Sequence, residues 1–591
     1  MQQLRSLIPF IRPFRWGILG GLLLVVFANG FAILSPRVLG LAIDALGQAG
    51  VTRTKILGYA GLVIGLALLA GISRFGMRQI LIGISRRIEN NLRDAFFDHL
   101  LRLDATFYGS TRTGELMSRA TNDISSVRMA VGPALMYLAN TTFSTAFALW
   151  FMLEISPRLT LLSVLPLVLM PWVVIHFGRI LHERHERISD HLAVLSTMVQ
   201  ENLTGVRIVR AYTQEPEQER EFDQLNLEYF DKNLEVARTS ALFNPMLSIL
   251  TAFGMLAVLW FGTRQVINAT ISPGDFVAFI FYLVMLTWPM IALGWVINLF
   301  QRGAASMGRL NLVLDTEPTV RPPVQPCVLS VVRGEIELRK VTFRYPGTDR
   351  DVLHSIDFRI PAGQTAAIVG PTGSGKSTIV ALITRRYDPT AGDVRLDGVP
   401  IRELSFEQLR HSIGVVPQDA FVFSETIAQN LALGLPHGIQ SRERIEEAAR
   451  IARLDEAIAL FPKGIETRLG ERGVNLSGGQ RQRATLARAI ARDPKVLILD
   501  DALSAVDTHT ETEILDNLKQ VLAGRTALII SHRVSAVMNA DQILVLDQGR
   551  IVERGKHTDL IASGGLYATL LQRQLLEDTL DEEMSASTET A

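Results

Sequence analysis

Six long apolar runs, near residues 16–36, 56–78, 131–154, 159–178, 244–267 and 275–299, fill the first half of this chain, and no comparable run follows. A hydrocarbon core of about 30 Å is crossed by about 20 apolar residues in a helix, so each run is long enough, or nearly so, to span a membrane. The mean hydropathy of +0.23 over 591 residues agrees, being too high for a typical soluble enzyme. Arg5, Arg12 and Arg15 precede the first run with no acid among them, which places the N-terminus in the cytoplasm. That run has no clear small-residue cleavage site and is followed by others, so it reads as a span rather than a removable signal. An even number of spans then returns the chain to the cytoplasm.

Connection lengths divide sharply. Ser156-Pro157-Arg158 barely separates the third and fourth runs, whereas two connections run to 50 residues or more. Both long connections carry apolar residues at helical spacing, Ile84, Ile88, Leu92, Phe96 and Leu103 in one and Ile188, Leu192, Leu195, Val199 and Leu203 in the other. They are expected to continue the spans as helices into the cytoplasm. They reverse near Tyr108-Gly109-Ser110 through Thr113-Gly114-Glu115 and near Thr204-Gly205-Val206. Tips of that kind are either tight loops or contact points that pass motion from the soluble half.

The second half reads as a soluble α/β domain. Pro318, Pro322, Pro323 and Pro326 mark a semi-rigid linker, after which short apolar strands alternate with amphipathic helices. The expected layout is a transmembrane domain over 1–312, a linker over 313–334, a nucleotide-binding domain over 335–574 and an acidic, disordered tail over 575–591. From Glu577 onward that tail has six acids and no base. With 59 basic and 59 acidic residues in all, the charge balance gives no sign of a nucleic-acid binder. The one cysteine, Cys327, excludes an intramolecular disulfide, so metal chemistry is expected to use oxygen ligands.

The chemistry sits in the soluble half. The strand-like Thr365–Val369 leads into Gly370, Pro371, Thr372, Gly373, Ser374, Gly375, Lys376 and Ser377, and a helical run begins at Thr378. This is a phosphate loop in strand–loop–helix context, where glycines let backbone N–H groups surround phosphate oxygens at a helix N-terminus. Lys376 would reach the β- and γ-phosphates and the Ser377 hydroxyl would coordinate Mg²⁺. A second apolar strand, Val496–Leu499, ends in Asp500, the expected second anchor for Mg²⁺.

Between these two motifs stands Leu476-Ser477-Gly478-Gly479-Gln480, before a basic helix. It resembles the signature of the ABC ATPases. In the same order along the chain, Tyr345 resembles that family's adenine-stacking aromatic, Gln418 its Q-loop glutamine and Mg²⁺ ligand, Ser504 to Asp507 its D-loop, and His532 its switch histidine. Gly470 to Gly473 is similar to an exporter-specific contact. Thr113–Asp123 and Glu201–Arg210 resemble the sequences around the family's two coupling helices. The whole chain resembles an ABC exporter half-transporter: a six-span helical domain with long cytoplasmic extensions, fused to an α/β P-loop ATPase domain. The resemblance implies ATP and Mg²⁺ as cofactors and dimerisation with each ATP held between one chain's phosphate loop and the other's signature; the neutral outer loops and the lack of a recognisable transit peptide fit a bacterial plasma membrane.

One position departs from the pattern. The family normally places a glutamate after the Mg²⁺ aspartate to polarise the attacking water, and this chain has Asp501. The residue is either a slow base or the mark of a degenerate site in a heterodimer, whose partner would carry the glutamate. The expected function is export of hydrophobic or amphipathic compounds, since the spans carry polar residues such as Asn29, Asn140, Thr287 and Asn298 but few formal charges at their centres. A homodimeric lipid flippase and an ATP-gated channel or regulator are the alternatives.

Overall fold

The structure, a computed structural model, describes residues 2–48, 51–435, 441–531 and 533–576. The chain divides into two compact units, one of Met1–Arg102 and Arg112–Thr316, the other of Leu103–Thr111 and Glu317–Ala591.

The first unit is helical. Its long helices run Arg15–Leu46, Arg53–Arg102, Met170–Thr204, Glu215–Ala257 and Pro273–Leu314. Sequences rich in Leu, Ile and Ala favour helix, and a helix is the one single-segment form that satisfies every backbone group in lipid. At 1.5 Å per residue, the 50 residues of Arg53–Arg102 reach about 75 Å, more than twice a hydrocarbon core. The helical continuation expected of the long connections is therefore present.

Among the described residues, five helical stretches are long and apolar enough to cross a membrane: Gln3–Leu46, Arg53–Arg102, Pro157–Thr204, Glu215–Ile267 and Pro273–Leu314. The run expected near 131–154 folds largely as Leu135–Ile155, where Asn140, Thr141 and Thr142 dilute its apolar character. It is also preceded by two wide π turns, Arg119–Asp123 and Ala130–Ala134. Pro133 lies in the second, where an uninterrupted α-helix would miss its N–H. A third π turn, Val258–Gly262, interrupts the fifth run. The run near 159–178 is broken as well, between Pro157–Val168 and Met170–Thr204, with Pro166 and Pro171 on either side of the break.

Packing in this unit combines an apolar core with polar clasps. Tyr282, fully buried, stacks on Phe151 at 5.6 Å amid Met152, Leu159, Leu167 and Phe279. Asn29 donates to Asn140 at 3.0 Å, so two of the polar residues expected at membrane depth satisfy each other. Gly40 and Gly274 bring the first and last helices together backbone to backbone, since a Cβ on Gly274 would lie 2.0 Å from the Gly40 carbonyl oxygen. Asp44 accepts from Ser272 Oγ at 2.6 Å and Gly274 N at 2.7 Å, and Arg37 pairs with Asp275 at 2.8 Å. Elsewhere the Asp123 carboxylate pairs with Arg309, and Glu89, 8% exposed, gathers Arg86, Arg93 and Arg128.

The second unit holds two sheets. Strands β1 (Ile336–Arg344), β2 (Asp351–Ile360), β4 (Ala391–Leu396) and β5 (Val399–Pro400) form an antiparallel sheet in the order β2-β1-β4-β5. Strands β3 (Thr365–Val369), β6 (Ile413–Val416), β7 (Val496–Asp500), β8 (Thr526–Ile530), β9 (Gln542–Asp547) and β10 (Arg550–Gly555) form the other, in the order β10-β9-β3-β8-β7-β6. All neighbours in it are parallel except β9 and β10. The five residues of β7 and of β8 are all buried, as expected of parallel strands covered on both faces. One core lies between the sheets and includes Ile379, Leu382 and Ile383 of the helix Lys376–Ile383. The other covers the opposite face and is filled from Ile427–Ala432, Arg442–Ile451 and Gly478–Ala491.

This unit also contains Leu103–Thr111, the first part of the tip of the first long connection, while Thr113–Glu115 belong to the helical unit. The short helix Ala105–Ser110 is capped by Asp104 Oδ1, which accepts from Thr106 N at 3.1 Å. The second tip, the helix Val206–Ala211, belongs to the helical unit. The acidic stretch from Glu577 lies outside the described residues. The glycine contact generates a prediction: Gly274→Val should cost about 1–3 kcal/mol by overpacking and lower the apparent thermal midpoint of the purified protein. An unchanged midpoint would mean that the two helices do not touch there.

Candidate functional site

The site hangs from the C-terminal ends of adjacent parallel strands. After β3 the chain turns through Gly370, Gly373 and Gly375, whose φ angles of +154°, +81° and +105° are open to glycine and strained for other residues. A Cβ on Gly370 would stand 2.0 Å from the Leu546 carbonyl oxygen of β9, so no side chain fits. The turn delivers Lys376 at 7% exposure, with Nζ donating to the carbonyls of Gly370 at 2.8 Å and Pro371 at 2.9 Å. Burial pulls the Lys376 pKa below the ordinary lysine range, against the opposite pull of Asp501 and Asp500. Ser374 Oγ in the same loop is buried with no hydrogen-bond partner among the described residues.

Across the cavity, β7 ends in Asp500, 6% exposed, which accepts from Ser377 Oγ at 3.2 Å. Burial pushes its carboxyl pKa up; the Ser377 hydrogen bond resists, the neighbouring Asp501 adds to the rise, and Lys376 and Arg386 oppose it. A cavity of about 290 Å³ is lined by Thr372, Lys376, Ser377, Gln418, Asp500 and Asp501 among others, so the two phosphate-binding motifs and the glutamine expected from sequence converge. Ser377, Asp500 and Gln418 offer oxygen donors only, and a carboxylate whose charge is penalised by burial gains from a divalent cation. That set fits Mg²⁺.

Asp501 follows at φ +51°, its N–H fastened to the Ile530 carbonyl at 2.8 Å. Tyr345 lies at the side of the phosphate-loop helix, its hydroxyl 3.0 Å from Thr378 Oγ1. The signature residues Leu476 to Gln480 and Asp507 do not line this cavity. Ser477 instead caps the helix Gly478–Ala491 in a reciprocal pair with Gln480, and Asp507 caps Thr508–Leu522 by accepting from Thr510 N at 2.9 Å. Gly479 runs so close to the Ala505 carbonyl oxygen that a Cβ would be 2.8 Å away. His532 lies outside the described residues.

Three further residues that sequence reading did not single out hold these parts together. Gln482 donates to Ser504 Oγ and accepts from Ala505 N, both at 2.9 Å, joining the signature helix to the D-loop segment. Arg533 pairs with the buried Glu511, joining the segment after β8 to the helix that Asp507 caps. Tyr387 packs edge-on against Tyr345 at 5.4 Å. A larger cleft of about 770 Å³, lined by Arg444, Arg453, Asp493 and Arg525 among others, lies apart. Asp493 and Glu513 pair with its Arg444, Arg453 and Arg525, so it is no comparable anion cradle.

Two measurements follow from the buried charges. Lys376→Ala should weaken ATP binding at this site at least tenfold, read by nucleotide titration; affinity within twofold of the parent would refute the role. Because burial raises the Asp500 pKa, its charge is present above that raised value and lost as pH falls through it. The Mg²⁺ dependence of ATP affinity should therefore fade on acidification at a higher pH than for an exposed aspartate near 3.9, and a loss only below that value would contradict the burial effect.

Comparison with known proteins agrees with the geometry. Residues 18–290 match the ABC transporter transmembrane region and residues 353–504 match the ABC transporter family. The chain is 37% identical to the Probable multidrug resistance ABC transporter ATP-binding/permease protein YheI of Bacillus subtilis, over 94% of each chain. It is 36% identical to the Multidrug resistance-like ATP-binding protein MdlA of Escherichia coli, over 95% of each. It also superposes on the structure of a bacterial Atm1-family ABC exporter with ATP bound, with a TM-score of 0.79 and 29% identity over 95% of this chain and 99% of that one. With a helical membrane domain and a nucleotide-binding domain joined in one polypeptide, the chain belongs to the ABC exporters, multi-pass membrane proteins that couple ATP hydrolysis to transport.

Proposed function

We propose that this chain is one half of a heterodimeric exporter of hydrophobic or amphipathic compounds, whose own ATP site is degenerate and whose partner carries glutamate where this chain has Asp501. The observation that carries the reading is the placement of Asp501. Its backbone is pinned by the Ile530 carbonyl at 2.8 Å, so the chain cannot advance to replace the missing methylene. A carboxylate withdrawn by about 1 Å can cost on the order of 10²-fold in rate where geometry sets the barrier.

In this reading the domains divide at 1–312, 313–334 and 335–574, six spans cross a plasma membrane, and the N-terminus and ATPase domain are cytoplasmic. Tyr345 stacks on adenine. The loop from Gly370 to Thr378 surrounds the phosphates, with Lys376 placed against the β- and γ-phosphates. Ser377, Gln418 and Asp500 hold Mg²⁺, which when bound neutralises charge on the phosphate oxygens. His532 serves as the switch histidine. Leu476 to Gln480 and Asp507 complete the partner's site, in keeping with their place away from this chain's own cavity. The partner's glutamate, with this chain's signature, then does most of the hydrolysis. The names of YheI and MdlA, which speak of multidrug resistance, and the scarcity of formal charge within the spans support a broad apolar cargo.

ATP can move the membrane helices only by binding one conformation better than another, and the tips near Gly114 and Gly205 are the transmitters. Glu115→Trp or Arg210→Trp should lower transport more than ATP affinity; strict proportionality between the two would remove the tips from the mechanism. The degenerate site is tested with the purified pair. Asp501→Asn should change turnover only a few-fold, whereas replacing the partner's glutamate should nearly abolish it. A loss of about 10³-fold from Asp501→Asn, the scale of removing a principal general base, would make Asp501 catalytic. Substrate-stimulated turnover by this chain alone would make the exporter a homodimer.

A further inference from the structure

Asp104 does two jobs with its two oxygens. Oδ1 caps the tip helix Ala105–Ser110, accepting from Thr106 N and Phe107 N, while Oδ2 accepts from Thr319 N at 2.6 Å, Val320 N at 2.9 Å and the Thr319 hydroxyl. The tip of the first long connection is thus fastened to the linker that leaves the last membrane helix. These bonds hold the Asp104 carboxyl below the usual carboxylate range despite partial burial.

The linker passes the anchorage on. One residue beyond Val320, itself 7% exposed, the Arg321 carbonyl accepts from Arg385 at 2.9 Å. Arg385 is 4% exposed, and its buried guanidinium is held by Asp388 at 3.0 Å and by the Phe406 ring at 4.9 Å. Such a buried charge is costly to move once paired. It fixes the turn after the phosphate-loop helix, and that turn carries Tyr387. Tyr387 meets Phe343 at 5.6 Å and Tyr345 at 5.4 Å with an interplanar angle of 87°, while Phe343 and Tyr345 meet at 4.9 Å. Tyr345 meets both of the other rings edge-on, and these contacts, with its hydroxyl on Thr378, restrict its orientation.

We propose that Asp104 and Tyr387 are positioning residues for the adenine platform, so that seating of the loop tip on the linker sets the affinity of this site for the base of ATP. The inference rests on the reading of Tyr345 as the aromatic that stacks on adenine. Linkage makes the effect reciprocal: adenine bound on Tyr345 tightens the seating of the tip by the same factor. The triphosphate contacts at Lys376 and Ser377 stand outside this chain of contacts, so base and phosphate recognition are separable.

The test uses the full-length exporter with its partner in lipid nanodiscs, photolabelled with 8-azido-ATP and resolved by chain, with unlabelled ATP or inorganic tripolyphosphate as competitor in the presence of Mg²⁺. Tyr387→Leu removes the ring edge and should raise the ATP competition constant about 3–10-fold, the range measured for aromatic pairs, with tripolyphosphate unchanged within twofold. Asp104→Asn cannot present an acceptor to both the cap and the three linker donors, and should show the same asymmetry at about 2–5-fold. Equal weakening of both competitors would mean that the domain as a whole is disturbed, and an unchanged ATP constant would mean that the platform needs no such support; either overturns the proposal. Tyr345→Ala separates the two readings. If it leaves ATP competition unchanged, adenine does not stack on Tyr345, whatever Tyr387 does.

Discussion

A close approach in the ATPase unit, a glycine against a strand carbonyl, is the constraint from which the rest of the site follows. Gly370 stands against Leu546 with no room for a Cβ, and β9 is therefore in contact with the loop that β3 emits. Parallel pairing of β9, β3, β8 and β7 then sets where each strand ends. Lys376 and Ser377 come from one strand end, Asp500 and Asp501 from another, and the Ile530 carbonyl that holds Asp501 from a third. A parallel sheet buried on both faces cannot slip by one residue without exchanging its two cores, so the distances in the site inherit the rigidity of the sheet.

Burial acts on the two key charges in opposite senses and to one end. It lowers the pKa of Lys376 and raises that of Asp500, so each is less willing to be charged alone. A triphosphate with its magnesium brings a negative and a positive partner at once. The site is thus built to be completed by that combination, and the cost of holding the two groups buried is met when the protein folds rather than when the ligand arrives.

The phosphate loop, the strand ending in Asp500 and the signature were legible because short motifs with fixed chemistry sit in the right order between recognisable strands. The ties between them were not. Gln482 looks like one polar residue in a basic helix, Arg533 like one cation after a strand, and Tyr387 like one aromatic in a turn, and only the fold shows that each bridges two elements. The membrane runs were read as continuous apolar stretches, a reading that does not locate the break at Leu169, which depends on where prolines fall within a helix. Asn29 and Asn140 were singled out as polar residues at depth, but no sequence pattern pairs residues 111 positions apart.

The π turns bear on how such a helix can change over time. A π turn carries one residue more than the α-helical turn it replaces, so Ala130–Ala134 shifts the phase of everything downstream by roughly 100°, the rotation of a single α-helical residue. The stripe of Asn140, Thr141 and Ser144 owes the direction it faces to that shift. Straightening the turn with all its residues kept would re-aim the whole stripe while leaving its composition untouched, whereas loss of one codon within 130–134 together with the turn would leave the stripe facing as it does. Relatives of equal hydropathy and near-equal length can thus present different surfaces to a cargo through a change in phase rather than in residues.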